Sequence, residues 1–142
     1  MTEWLHGRVA LREVPEGAHG FTYKLTYVDP ETAEVSRYIG KKNFFSVRNV
    51  KKGKKELAAM TDQRGSKKKK VIKESDWRKY QSSHTLLKSV NAEHLEKEVL
   101  TVCFSKTELT YQETRELFVH KVLDEDSRYL NDNILGKFYK SK

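Results

Sequence analysis

Phe21-Thr22-Tyr23-Lys24-Leu25-Thr26-Tyr27, then Asp29-Pro30-Glu31-Thr32, then Val35-Ser36-Arg37-Tyr38-Ile39-Gly40: this stretch decides the fold. Its first part alternates, with Phe21, Tyr23, Leu25 and Tyr27 on one face and Thr22, Lys24 and Thr26 on the other. That period of two is the signature of a half-buried strand. Asp-Pro-Glu-Thr is turn chemistry, since the aspartate side chain folds back on the backbone and the proline presets its own φ. Val35 to Ile39 then returns as a second strand. A β-hairpin results, with Tyr23 on one arm and Tyr38 on the other.

Working outward, the lead-in of residues 1–19 holds a possible short strand at Gly7–Leu11 and a turn around Pro15-Glu16-Gly17. After the hairpin, Asn43 is placed to cap a short helix carrying Phe44, Phe45 and Val47, with Arg48 near its end. A lysine-rich stretch follows to about Lys73, and Ser75-Asp76-Trp77 restarts order. Ser83 through Val90 has a helical pattern. Glu98 to Phe104 is apolar enough to be a central strand. Ser105 and Glu108 form a capping box for a helix over about Lys106–Leu123, with Tyr111, Phe118, Val119 and Val122 expected toward the core. Tyr129 to Ile134 reads as irregular with a short extended end. The order β-β-α-α-β-α implies an α+β sandwich around a three-stranded mixed or antiparallel sheet.

At 142 residues, with 37% apolar and 34% charged residues, the chain has the length of one domain with a small core and a heavily solvated surface. No apolar run approaches the roughly 20 residues of a membrane span. Met1-Thr2-Glu3-Trp4 lacks the basic and apolar regions of a signal peptide. Cys103 is the single cysteine, which removes internal disulfides and CxxC zinc sites. The five histidines lack HxxxH or HxH spacing, which argues against zinc. An intracellular, cytoplasmic protein is expected.

Net charge is +8, but 15 Lys/Arg against 4 Asp/Glu fall between residues 41 and 79, leaving the remainder at −3. Lysines this dense repel one another, so a loop is expected there. Laid along a polyphosphate they displace counterions and bind without sequence preference. Lys41, Lys42, Lys51, Lys52, Lys54, Lys55, Lys67, Lys68, Lys69 and Lys70 are therefore the candidate nucleic-acid contacts.

Tyr23-Lys24-Leu25, Tyr38-Ile39-Gly40, Arg48 ten residues after the second tyrosine, and a later glutamate helix resemble, in that order, the GIY-YIG nuclease family. Gln81-Ser82-Ser83-His84 is similar to the Ser-Ser helix start of its phage-encoded homing endonucleases. Coverage runs from about Gly20 to Ile134. The first motif departs from the family name, reading Phe21-Thr22-Tyr23, and Gln81 stands where relatives often carry a histidine, unless His84 substitutes.

The resemblance implies a small GIY-YIG-like sandwich over residues 20–142 with a basic insertion at about 49–74. It implies a divalent-metal-dependent DNA endonuclease. Glu116 would bind Mg²⁺ or Mn²⁺, with Glu113 a rival ligand. Arg48 would hold the scissile phosphate, with Arg64 or Arg78 as competitors. Tyr23 and Tyr38 would handle or position the water, and Asn131, with Asn133 the competitor, would lie near the phosphate. Metal, arginine and tyrosine answer the needs of phosphodiester hydrolysis: charge neutralisation, a planar cation matched to phosphate oxygens, and an oriented water. A small-molecule cofactor and a membrane are not expected, and a protein partner is one source of specificity. The rival readings are a catalytically inactive, basic nucleic-acid-binding protein on the same scaffold, and a basic RNA-binding or structural protein without nuclease ancestry.

Overall fold

The computed structural model describes residues 2–51, 53–54, 58 and 68–140, with the backbone alone at 50, 51, 68 and 69. Two units emerge: Met1–Phe44 with Asp76–Lys142, and Phe45–Ser75. The larger unit is built on the hairpin of β3 (Gly20–Val28) and β4 (Val35–Asn43), paired in antiparallel register from Gly20↔Asn43 to Val28↔Val35. Asp29 makes the turn as expected, its Oδ1 accepting from the Glu31 and Thr32 amides at 2.8 and 3.2 Å.

With the short strands β1 (Leu5–His6) and β2 (Val9–Ala10) and the long β7 (Leu95–Cys103), the hairpin forms a five-stranded sheet in the order β2-β1-β7-β3-β4. β1 runs parallel to β7 and the other pairs are antiparallel, so the sheet is mixed. The fold is α+β, and the strand expected at 98–104 is central, running over 95–103 with Glu96, Lys97 and Glu98 in its first half. Pairing of β3 with β7 shifts by one residue between Thr22 and Tyr23, leaving Leu100 as the extra residue of a bulge. Bulges bend a strand and re-aim its side chains, and this one lies beside Tyr23.

Each sheet face has its own core. Trp4, Phe21, Tyr23, Leu25, Phe44, Trp77, Leu87, Leu95 and Val99 fill one, an aromatic layer that includes Trp4 from the lead-in. It is roofed by the short helix α1 (Thr85–Ser89). Ile39, Leu117, Val122 and Ile134 fill the other, beneath α2 (Lys106–Val119). Ser105 caps α2 by accepting from the Glu108 amide at 3.0 Å, and Glu108 reaches back to the Phe104 amide at 3.2 Å.

Three expectations are corrected. First, α2 buries Leu109, Glu116 and Leu117, whereas Tyr111, Phe118 and Val119 are exposed. Leu109, Glu113 and Leu117 recur every four residues and make the sheet-facing stripe, which turns Tyr111 outward. Second, the helix stops at Val119 rather than Leu123. Lys121 adopts φ 51°, its amide donates to Phe118 O and the Val122 amide to Leu117 O, a Schellman stop built without glycine. Val122 is buried, but beyond the helix.

Third, Asn43 caps no helix. Phe45–Lys51 is a strand, β5, paired antiparallel with β6 (Lys68–Glu74), so part of the expected lysine loop is also a strand. Phe45 and Val47 on one strand and Val71 and Ile72 on the other supply the β-branched and aromatic residues a two-stranded ribbon favours. This ribbon is the core of the second unit. The chain closes with the small hairpin β8 (Asn133–Ile134) and β9 (Phe138–Tyr139). Among the described residues no helix is long and apolar enough to cross a membrane.

Candidate active site

β4 ends the sheet, and an edge strand exposes unpaired backbone groups. The C-terminal segment covers them. The Arg37 amide donates to Arg128 O at 2.8 Å, and the Leu130 amide donates to Arg37 O at 2.6 Å. Asn131 completes the cover: its Oδ1 accepts from the Ile39 amide at 3.0 Å and its Nδ2 donates to Ile39 O at 2.8 Å. Asn131 is buried and occupied in holding the middle residue of Tyr38-Ile39-Gly40.

Tyr23 and Tyr38 project from the same sheet face, their ring centroids 6.4 Å apart. Tyr23 lies against Gly40, its register partner. A Cβ at Gly40 would stand 2.5 Å from the Tyr23 hydroxyl oxygen and 2.7 Å from its Cζ, so only glycine leaves room for that ring. Tyr80 packs edge-on against Tyr23 at 5.9 Å.

The Ser-Ser-His sequence meets both tyrosines. Ser82 acts on the Tyr23 phenol, favouring its ionised form, and Ser83 Oγ lies 3.5 Å from the Tyr38 hydroxyl. His84 packs at a tilt against the Tyr38 ring, with centroids 5.8 Å apart. Ser82 is buried at φ 96°, a conformation costly for a side chain with a Cβ and concentrated at functional sites. His84 is the N-cap of α1: its Nδ1 accepts from the Leu86 amide at 3.2 Å, so the neutral ring carries its proton on Nε2. Gln81 takes no part in this, its Nε2 donating to Leu87 O and Val90 O.

A cleft of about 230 Å³ opens at this edge, lined among others by Tyr38, His84, Glu113, Asn131, Asp132 and Asn133. The carboxylate that α2 contributes is Glu113, one helical turn before Leu117. Burial pushes its carboxyl above the usual range, against the pull of Lys41. Lys41 Nζ donates to Thr110 Oγ1 at 3.1 Å. Glu116 is buried outside this lining, paired within its own helix with Arg115 Nη1 and His120 Nδ1, each at 3.2 Å. The cleft distinguishes the two glutamates, since Glu113 lines it and Glu116, buried on the same side of the helix, does not. Asn133 Oδ1 accepts from the Gly136 amide, a turn contact.

Both phenols resist ionisation. Tyr23 is held far above the ordinary range by burial first and Tyr80 second, and Tyr38 is raised by burial against a lowering hydrogen bond from Ser83. Of the cations, Lys42 is engaged with Asp76 at 2.7 Å and lies over the Tyr80 ring. Arg78 donates through Nε and Nη2 to Arg12 O and stacks on Trp77. Arg48 belongs to the ribbon unit, as do the exposed Lys54 and Lys70. Lys52, Lys55, Arg64 and Lys67, and the side chains of Lys51, Lys68 and Lys69, lie outside the described residues. Cys103 is a buried free thiol in the core.

A family model described as "Putative endonuclease segE, GIY-YIG domain" matches residues 4–134. Neither a curated protein nor a solved structure matches the chain.

Proposed function

The chain belongs to the GIY-YIG endonuclease family, and on that premise we propose that it is a divalent-metal-dependent DNA endonuclease working from the cleft at the β4 edge. The observation that carries this reading is the convergence of Tyr38, His84 and Glu113 on one cleft. Its resemblance to phage homing endonucleases supports a phage-borne origin and action in the host cytoplasm.

The donor set fits Mg²⁺ or Mn²⁺. Mg²⁺ takes one or two carboxylates together with waters and substrate phosphate oxygens, and Glu113 and Asp132 both line the cleft. Glu113, rather than Glu116, is thus the preferred ligand. When bound, the ion neutralises phosphate charge and stabilises the leaving oxygen.

The protein's own groups do the remaining work. Lys41, the cation acting on Glu113, meets phosphate charge within this unit, and Arg48 is the candidate on the ribbon. Tyr38 keeps its proton, so its hydroxyl orients the attacking water by hydrogen bonding, with Ser83 fixing its direction. Tyr23 supports Tyr38 from behind. His84 offers Nε2–H as a donor to a phosphate oxygen, its Nδ1 being engaged in the cap of α1. Asn131 holds the Tyr38-Ile39-Gly40 backbone and thereby positions the phenol.

The test is nicking of supercoiled plasmid by the wild type in Mg²⁺ or Mn²⁺ and in EDTA. Nicking confined to the metal-containing reactions is expected. Folded protein that shifts DNA in a gel yet never cuts it would favour the inactive binding protein.

A further inference from the structure

The ribbon of β5 and β6 has a property its lysine content alone does not convey. Every side chain described on it, Phe45 to Asn49 and Lys70 to Glu74, is exposed. Directly opposed residues share a face, and rungs alternate between faces. Val47↔Ile72 and Asn49↔Lys70 therefore lie together on one face, with Ser46↔Lys73 and Arg48↔Val71 on the other. Val47 is 60% exposed and Ile72 69%. Two β-branched side chains side by side in water, with Asn49 and Lys70 on one flank and Phe45 and Glu74 on the other, form a surface that gains by being covered.

We infer that this ribbon is a DNA-reading element that enters the major groove with the Val47, Ile72, Asn49 and Lys70 face toward the bases. The inference rests on the nuclease reading and adds a source of sequence preference to it. A two-stranded ribbon fits the roughly 12 Å width of that groove. Seven residues at about 3.3 Å each span roughly 20 Å, or about six base pairs. Asn pairs bidentately with adenine N6 and N7, lysine donates to guanine O6 and N7, and aliphatic side chains cover thymine methyls. Over 45–51 and 68–74 the ribbon carries six Lys/Arg against one Glu, which complements the phosphates flanking the groove. Arg48 and Lys73, on the opposite face, have the length to reach them. Duplex RNA is a poor occupant, since its major groove is too deep and narrow for side chains to read.

The test uses the whole chain in EDTA, so that binding is scored without cleavage. A preferred site is selected from random duplexes, and affinities for it and for a scrambled duplex are compared. Asn49→Ala with Lys70→Ala should lower the preference by about tenfold or more. Lys54→Ala, an exposed lysine outside both strands, should weaken both duplexes alike. Melting temperatures matched to the wild type exclude misfolding of these exposed variants.

Absence of any selected site, or a preference unchanged by the double variant, overturns the inference. So does retention of preference by Val47→Thr with Ile72→Thr while the chain changes oligomeric state on gel filtration, which would make this face a protein interface. Metal-dependent plasmid nicking by the wild type is scored separately: its absence would sink the nuclease reading, whereas the binding preference is judged in EDTA alone.

Discussion

Two antiparallel hairpins follow one another in this chain and are used in opposite ways. In β3–β4, Phe21, Thr22, Tyr23, Leu25, Ile39 and Gly40 are buried, and both faces are roofed. In β5–β6, every described side chain is exposed. The first hairpin fixes a few polar groups in place by surrounding them. The second has no such surroundings, and two strands alone are marginal in water, so its residues answer to what they touch outside the chain. The proposed chemistry sits on the enclosed hairpin, and contact with a large substrate suits the open one.

The sharpest way to break that contrast is Gly40→Ala. The added methyl meets the Tyr23 ring and hydroxyl in a layer with no slack, at a cost of roughly 1–3 kcal/mol or more. Thermal unfolding should register this loss, together with a fall in nicking as Tyr23 is displaced. A variant as stable as the wild type would mean that the layer is looser than described.

Asn131→Ala comes next. It strips two hydrogen bonds from Ile39 and leaves an amide and a carbonyl at the strand edge unpaired, costing about 2–4 kcal/mol by chemical denaturation. Asn131→Asp retains the acceptor but sets a carboxylate against Ile39 O, and should rescue little.

Lys97 tests how dry the aromatic layer is. This buried ammonium donates to Arg78 O at 3.0 Å and lies 4.5 Å from the Trp4 ring centre, and burial lowers its pKa to about 8. A lysine depressed on folding contributes stability that is complete above its ordinary pKa and lost as pH falls through the folded one. Relative to Lys97→Met, the wild type should therefore gain on the order of 2–3 kcal/mol between about pH 8 and 10.5. Parallel pH profiles would contradict this. At the small end, Val47→Thr and Ile72→Thr in the ribbon should change folding stability by less than about 0.5 kcal/mol each.

The same contrast explains what could be read from the sequence. The β3–β4 hairpin is legible because strict alternation and an aspartate turn are local signals that burial reinforces. β5 is not, since Asn43 followed by Phe44 and Phe45 satisfies a helix start as well as a strand junction, and the pairing that decides it comes from Val71 and Ile72 more than twenty residues on. The end of α2 is hidden because Lys121, not glycine, takes the left-handed position. The Tyr38 and Asn131 neighbourhood follows the family order. Preferring Glu113 to Glu116 requires the cleft itself, because both glutamates lie beside Leu109 and Leu117, and the outward aromatics Tyr111 and Phe118 mask that side of the helix. The serines against the tyrosines, and the His84 cap, exist only in three dimensions.

The most direct test compares Glu113→Gln with Glu116→Gln in Mn²⁺-dependent plasmid nicking and in thermal unfolding. Burial raises the Glu113 pKa, so its favourable contribution is present below the ordinary carboxylate pKa and lost as pH rises through the folded value. Above that window the buried carboxylate costs stability. The account predicts that Glu113→Gln abolishes nicking while unfolding at or above the wild-type temperature, without the wild type's rise in melting temperature on adding Mn²⁺. Glu116→Gln should keep most activity and that metal response, losing only its contacts to Arg115 and His120. Nicking lost in Glu116→Gln but retained in Glu113→Gln would contradict the account.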